Sequence, residues 1–129
     1  MRIYLDAAPI IYLVEQVIPQ AAIVDARISP AGIERVASHL TRMECRVKPL
    51  RGGDQALLLD FDTFFAASIA EFVSLSQSVV DRATEIRAQY GFKTPDAIHL
   101  AAAIESACDL FLTNDQQLTR FSGIAVEVV

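Results

Sequence analysis

Four carboxylates stand where a hard metal ion would find oxygen ligands: Asp6 in "RIYLD", Glu44 in "TRMECRV", Asp96 in "TPDAIHL" and Asp115 in "LFLTND". Asp6 closes an apolar run and Asp115 follows another by two residues. An acid at the end of an apolar strand is poorly solvated, and burying it uncompensated costs on the order of several kcal/mol. Mg2+ or Mn2+ is the simplest compensation, because hard divalent cations tolerate carboxylates that otherwise repel one another and raise one another's pKa values. If the four side chains converge, the chemistry that such clusters serve is attack of water on a phosphate ester.

Each acid also has a plainer explanation. Asp96 falls in the first turn of a helix, where free amides and the dipole favour an anion by about 0.3–1 kcal/mol. Glu44 lies inside a helix, where acids ordinarily face solvent. His99 sits three residues after Asp96 on the same helix face. It is placed to hydrogen-bond a phosphate or an acid, although packing is the commoner fate of a helical histidine. His39 and His99 are not spaced with Cys45 and Cys108 for zinc, and no GxSxG, GxGxxG or P-loop pattern occurs. Phe61, Phe64 and Phe65 recur at near-helical spacing and read as core or dimer interface. Tyr4 and Tyr12 are assigned to packing.

The elements that must position these residues alternate along the chain. "RIYLD" reads as a strand, "PIIYLVEQV" as a helix with Pro9 in its first turn, and "PQAAIVDARI" as a second helix. "IERVAS" forms a strand, and Ser38 caps a helix over "SHLTRMECRV" that carries Glu44. After Gly52-Gly53 come a helix over "DQALLLDFDTFFAA", a strand around "AEFVSL" and a helix "QSVVDRATEIRAQYG" closed by Gly91. Thr94 and Pro95 are predicted as N-cap and first-turn residue of a helix reaching about Cys108. A strand "DLFLT", a short turn over "NDQQLTRF" and a last strand "IAVEVV" complete the chain. The class is α/β: four or five strands in a parallel sheet covered by helices on both faces. Residues 1–129 are expected to form one unit, with no repeat or linker. In such sheets ligands bind outside the carboxyl ends of the strands, so Asp6 and Asp115 belong to one edge.

The chain has 129 residues and a net charge of −5, which argues against holding nucleic acid by general attraction. Its charges are uneven, since Arg42, Arg46, Lys48 and Arg51 fall within "RMECRVKPLR" beside a single acid. Hydrophobic residues make up 53%, so part of the apolar surface is expected to face a partner. Two cysteines without a framework pattern read as free thiols in a reducing compartment. The start shows no cleavage site and no bilayer-length run, so the expected location is the cytoplasm.

The segments "IYLDAAPIIYLVE", "SHLTRMECRV", "YGFKTPDAIHLAAAI" and "CDLFLTND", in this order and spacing, resemble the PIN-domain ribonucleases, specifically the VapC-like toxins of toxin-antitoxin pairs. That resemblance implies a three-layer α/β/α sandwich and a Mg2+- or Mn2+-dependent endoribonuclease held silent by a cognate antitoxin. It assigns Asp6, Asp96 and Asp115 as metal ligands, with Glu44 as a further ligand or the group orienting water. Thr113 and Asn114 would support Asp115, and His99 lies beside the site. Arg42 and Arg46 are candidates for steering the RNA backbone, or serve a surface role unrelated to substrate. A homodimer is expected. The family often carries Thr or Ser after its first aspartate, where this chain has Ala7. The competing expectation is therefore a catalytically idle PIN-like module that binds RNA or a partner protein. A phosphoryl-receiving domain is disfavoured, because Asp6 has no acidic neighbour.

Overall fold

The computed structural model describes residues 1–129. The chain runs β1 (Arg2–Leu5), α1 (Ala7–Val14), α2 (Gln20–Ile28), β2 (Glu34–Ser38), α3 (His39–Gly52), α4 (Gln55–Ser68), β3 (Glu71–Val73), α5 (Gln77–Tyr90), α6 (Thr94–Glu105), β4 (Leu110–Thr113) and β5 (Ala125–Val128), with a 3-10 turn over Gln116–Arg120 before β5. The five strands are all parallel, in the order β3-β2-β1-β4-β5.

Side-chain alternation along the central strands makes the layers. In β1, Ile3 and Leu5 join Leu110 and Leu112 of β4 on one face, against Ile10, Val24, Cys45, Phe61 and Phe65 from α1 to α4. Tyr4 and Phe111 take the opposite face with residues of α5 and α6, including Ala97, Leu100 and Ala101. Both faces are buried, which is why "IYL" and "LFL" are continuous apolar runs rather than alternating ones. The result is the three-layer sandwich, with five strands. Phe61 and Phe65 are buried and Phe64 packs against them, so the aromatic trio belongs to the core.

Two boundaries differ from expectation in ways that matter for the site. Thr94 is not the N-cap of α6: Lys93 takes that position in extended conformation without a side-chain cap bond, and Thr94 and Pro95 lie inside the first turn. The helix also stops at Glu105, and Ala107 adopts a positive φ of 57°. Conversely, Gly91 ends α5 in the left-handed conformation, as its position after a helical run implies. No helix is long and apolar enough to cross a membrane.

The strand order reverses beside β1: the chain builds β2 and β3 to one side, then returns to lay β4 and β5 on the other. The crevice outside the carboxyl ends of β1 and β4 is thus the topological switch point, where α/β sheets place ligands.

Candidate active site

Asp6 leaves β1 and caps α1, its Oδ1 accepting from the Ala7 amide at 2.8 Å. Its own amide donates to Leu112 O of β4 at 3.0 Å. Thr113, the last residue of β4, joins two acids through one hydroxyl: Oγ1 donates to Asp6 Oδ2 at 2.8 Å and accepts from the Asp115 amide at 3.1 Å. Asp115 in turn caps the 3-10 turn, accepting from the Gln117 amide at 2.9 Å. Asn114 does not reach Asp115; its side chain donates to Tyr12 Oη at 3.1 Å.

Behind these acids lies a buried polar chain. Tyr4 Oη donates to Ser38 Oγ at 2.8 Å, and His99 Nδ1 lies 2.8 Å from the same phenol oxygen. His99 Nε2 is 2.5 Å from Glu44 Oε1 and 3.5 Å from Asp6 Oδ1. With the phenol proton given to Ser38, both imidazole nitrogens act as donors, which is the hydrogen-bond pattern of an imidazolium. Burial alone would pull the His99 pKa down, but the hydrogen bond to Glu44 and the charges of Asp6, Glu44 and Asp96 outweigh it, and the net direction is up. His99 is 1% exposed, so packing and partnership with an acid are both realised.

The Ser38 capping box, in which Ser38 and Thr41 exchange hydrogen bonds, fixes the start of α3 and hence the height of Glu44 one and a half turns later. Thr41 Oγ1 also lies 3.3 Å from the Tyr4 hydroxyl. Cys45 packs beside this helix face, its thiol pushed far up by burial and by the Glu44 and Asp6 charges, so it stays a protonated, inert hydrophobe. Both cysteines are free.

Asp96 differs from the other acids in having no hydrogen bond to its carboxylate among the causes acting on it. Its pKa is raised, first by burial and then by the negative charges of Asp6 and Asp115, with only His99 acting in the opposite direction. Asp96 stands in the first turn of α6, where the dipole favours an anion, yet burial and then the neighbouring acids make its charge costly. Ligand atoms of Asp6, Glu44 and His99 lie within 4.8 Å of one another. Asp96 and Asp115 line a cavity of about 220 Å³ together with Lys93 and Arg120. A larger cavity of about 450 Å³ lies between α1 and α2 and holds one acid, Asp25, so size alone does not mark the chemistry.

All four expected acids therefore gather at one edge of the sheet, and none forms an ion pair with lysine or arginine. Arg42 and Arg46 do not line this site: Arg46 holds Asp62 of α4 at 2.9 Å and Arg42 approaches the same carboxylate at 3.8 Å. Of the two roles expected for them, these ion pairs correspond to the surface one, bracing α3 against α4. Reading by spacing missed Tyr4, Ser38 and Thr41 as organisers of the site and Lys93 and Arg120 as its cations. The available signal was Tyr4 itself, a hydroxyl between the apolar Ile3 and Leu5, which must find a partner when buried. The oxygen-rich donor set suits a hard divalent cation.

Comparison with known proteins bears on the fold. The chain overlays VapBC2 of Rickettsia felis bound to a promoter DNA fragment, at 13% identity and a TM-score of 0.78 over 98% of each chain. A toxin-antitoxin complex from Klebsiella pneumoniae aligns at 21% identity and a TM-score of 0.74, covering 95% of this chain and 94% of that one. VapC20 of Mycobacterium tuberculosis, a sarcin-ricin-loop-cleaving toxin, aligns at 10% identity and a TM-score of 0.70 over 94% of this chain and 90% of its own. At these identities the likeness is one of fold. No curated protein matched the sequence. The PIN domain family model matches residues 3–124, and with the parallel sheet and its acidic edge in place, the chain belongs to the PIN domain family.

Proposed function

We propose that this protein is a Mg2+- or Mn2+-dependent endoribonuclease, the toxin of a type II toxin-antitoxin pair. The observation that carries the reading is the set of carboxylates Asp6, Glu44, Asp96 and Asp115 collected at the switch point with a single imidazole as their only cationic partner. A cluster so charged is costly without an external cation.

In this reading Asp6, Asp96 and Asp115 hold the cation, since His99 is already committed to Glu44 and to the phenol of Tyr4. A bound divalent cation would supply Lewis-acid polarisation of the scissile phosphate and neutralise its developing charge. Glu44, pinned by His99, orients the attacking water, and Thr113 keeps the Asp6 carboxylate turned toward the cleft. Ala7 removes the hydroxyl common at that position in the family, but its amide still donates to Asp6 Oδ1, so the carboxylate keeps a fixed orientation.

The antitoxin partner, the homodimer and the cytoplasmic setting belong to the same reading. Structures of toxin-antitoxin complexes with the same fold support the partnership. So does the exposed apolar row Met43, Val47 and Leu50 along α3, at 56%, 42% and 57% exposure, a stripe of the kind that partner helices cover.

The test is incubation of total RNA with the purified protein in Mn2+ or in chelator. Discrete cuts made only by the metal-loaded wild type, and absent for Asp96→Asn, are the expected result. Cuts that persist in chelator would defeat the metal-dependent reading. The second reading, an idle PIN-like module, is favoured by Ala7 and expects RNA or partner binding with no cuts under either condition.

A further inference from the structure

The cleft that holds Asp96 and Asp115 is not wholly acidic. We propose that Lys93 and Arg120 form a phosphate clamp beside the carboxylates, holding the RNA backbone adjacent to the scissile bond; this rests on the endoribonuclease reading for its substrate.

Three observations carry it. The two cations line the same cavity of about 220 Å³ as Asp96 and Asp115, on the wall formed by Gly91, Phe92 and the 3-10 turn. Arg120 is held in place, its guanidinium 4.3 Å above the Phe92 ring and its Nη2 donating to Tyr90 O at 2.8 Å. Its Nε and Nη1 are left without a protein acceptor, so part of a rigid planar fork faces outward with donors to spare. Neither side chain makes an ion pair, although the protein pairs Arg2, Arg27, Arg42, Arg46, Lys48 and Arg82 with carboxylates.

Lys93 is the N-cap of α6 and lines the cavity, and its ammonium, which has donors only, makes no ion pair within the protein. An overall charge of −5 repels a polyanion, so backbone binding requires local positive charge where the strand enters. The arginines singled out by spacing, Arg42 and Arg46, are neutralised by Asp62. Lys93 and Arg120 thus meet a requirement that no other cations beside the acids satisfy.

The test measures binding without cleavage. In an Asp6→Asn background, the affinity of a mixed-sequence single-stranded RNA oligonucleotide is followed by fluorescence anisotropy against salt concentration. Adding Lys93→Gln and Arg120→Gln is expected to weaken binding and to lower the slope of log Kd against log salt by about 1.4, since each phosphate contact on a single strand contributes about 0.7. Arg42→Gln with Arg46→Gln is expected to leave that slope unchanged. Arg120→Lys keeps the charge and loses the fork, so it should preserve the slope while loosening affinity; a loss of slope equal to that of Arg120→Gln would mark a structural role and overturn the clamp. An unchanged slope in the double variant, or no RNA binding by the parent, would also overturn it. If the slope falls as expected but wild type never cuts RNA in Mn2+, the clamp stands and the nuclease reading fails.

Discussion

The two edges of the sheet handle acids in opposite ways. At the amino edge, Arg2 pairs with Glu34 at 2.8 Å and Glu71 at 2.5 Å, and donates through Nε to Ser106 O at 3.1 Å, while its amide binds Asp109 at 2.8 Å. Two acids from two strands there share one guanidinium, and a third, Asp109, is held by the Arg2 backbone amide. At the carboxyl edge, four acids meet and only His99 pairs with any of them, Lys93 and Arg120 lining the adjoining cavity without an ion pair. The same sequence that compensates its negative charge at one edge leaves it uncompensated at the other. An acidic cluster is informative when the fold had the means to neutralise it and did not, and here an arginine stands at one end of β1 and an aspartate at the other.

The sharpest way to break this contrast is to remove a carboxylate from each edge. Asp96→Asn or Asp115→Asn should reduce metal-dependent RNA cleavage by more than the roughly 100-fold that loss of a supporting group costs, whereas Glu71→Gln should leave the rate unchanged; equal rates for all three would erase the distinction. Next in size is the response to metal. A hundredfold excess of Mn2+ over its Kd should raise unfolding stability by about 2.7 kcal/mol, read as a higher Tm, and Asp6→Asn should remove most of the gain. An unchanged Tm would mean the carboxyl edge binds no cation.

Tyr4→Phe leaves His99 Nδ1 without a buried partner, while Ser38 keeps Thr41, and should cost about 1–3 kcal/mol by denaturant titration. Arg2→Gln breaks half-exposed pairs at the amino edge and should cost about 1 kcal/mol, with no recovery on adding Mn2+. The smallest effect has an opposite sign. Because Asp96 has a raised folded pKa, the stability linked to its proton is present below the ordinary carboxyl value of 3.8 and lost as pH rises through the folded value. At neutral pH its charge burdens the apo fold, so Asp96→Asn should slightly raise the Tm in chelator; a lower Tm would make Asp96 a structural group. His99 follows the same sign: its raised pKa gives stability that is complete below 6.5 and declines as pH climbs through the folded value.

Much of this was legible in order and periodicity. Apolar runs at "IYL" and "LFL" announced central parallel strands, and Asp6 and Asp115 at their ends announced a shared edge. What periodicity could not supply was partnership. Arg42 and Arg46 are on one helix face near Glu44, but whether they meet solvent or Asp62 depends on how α4 packs across α3, sixteen residues beyond Arg46 in the chain. Lys93 and Arg120 line one cavity because the end of the 3-10 turn packs against Tyr90 and Phe92, a contact between segments with no common pattern. Packing is the commoner fate of a helical histidine, and burial of His99 against Tyr4 combines it with a bond to Glu44. Thr94 looked like a cap because Thr before Pro usually is one; the chain begins its helix one residue earlier and leaves Lys93 outside.

The Thr113 hydroxyl acts as a gauge block. By touching the carboxylate of Asp6 and the amide of Asp115 at once, it transfers the alignment of two neighbouring strands directly into the gap between two acidic oxygens. Any ion accommodated there is measured against a ruler whose zero is the pairing of Leu5 with Leu112, so a slip of one residue in that pairing would turn Thr113 to the other face of the sheet and abolish the measurement altogether.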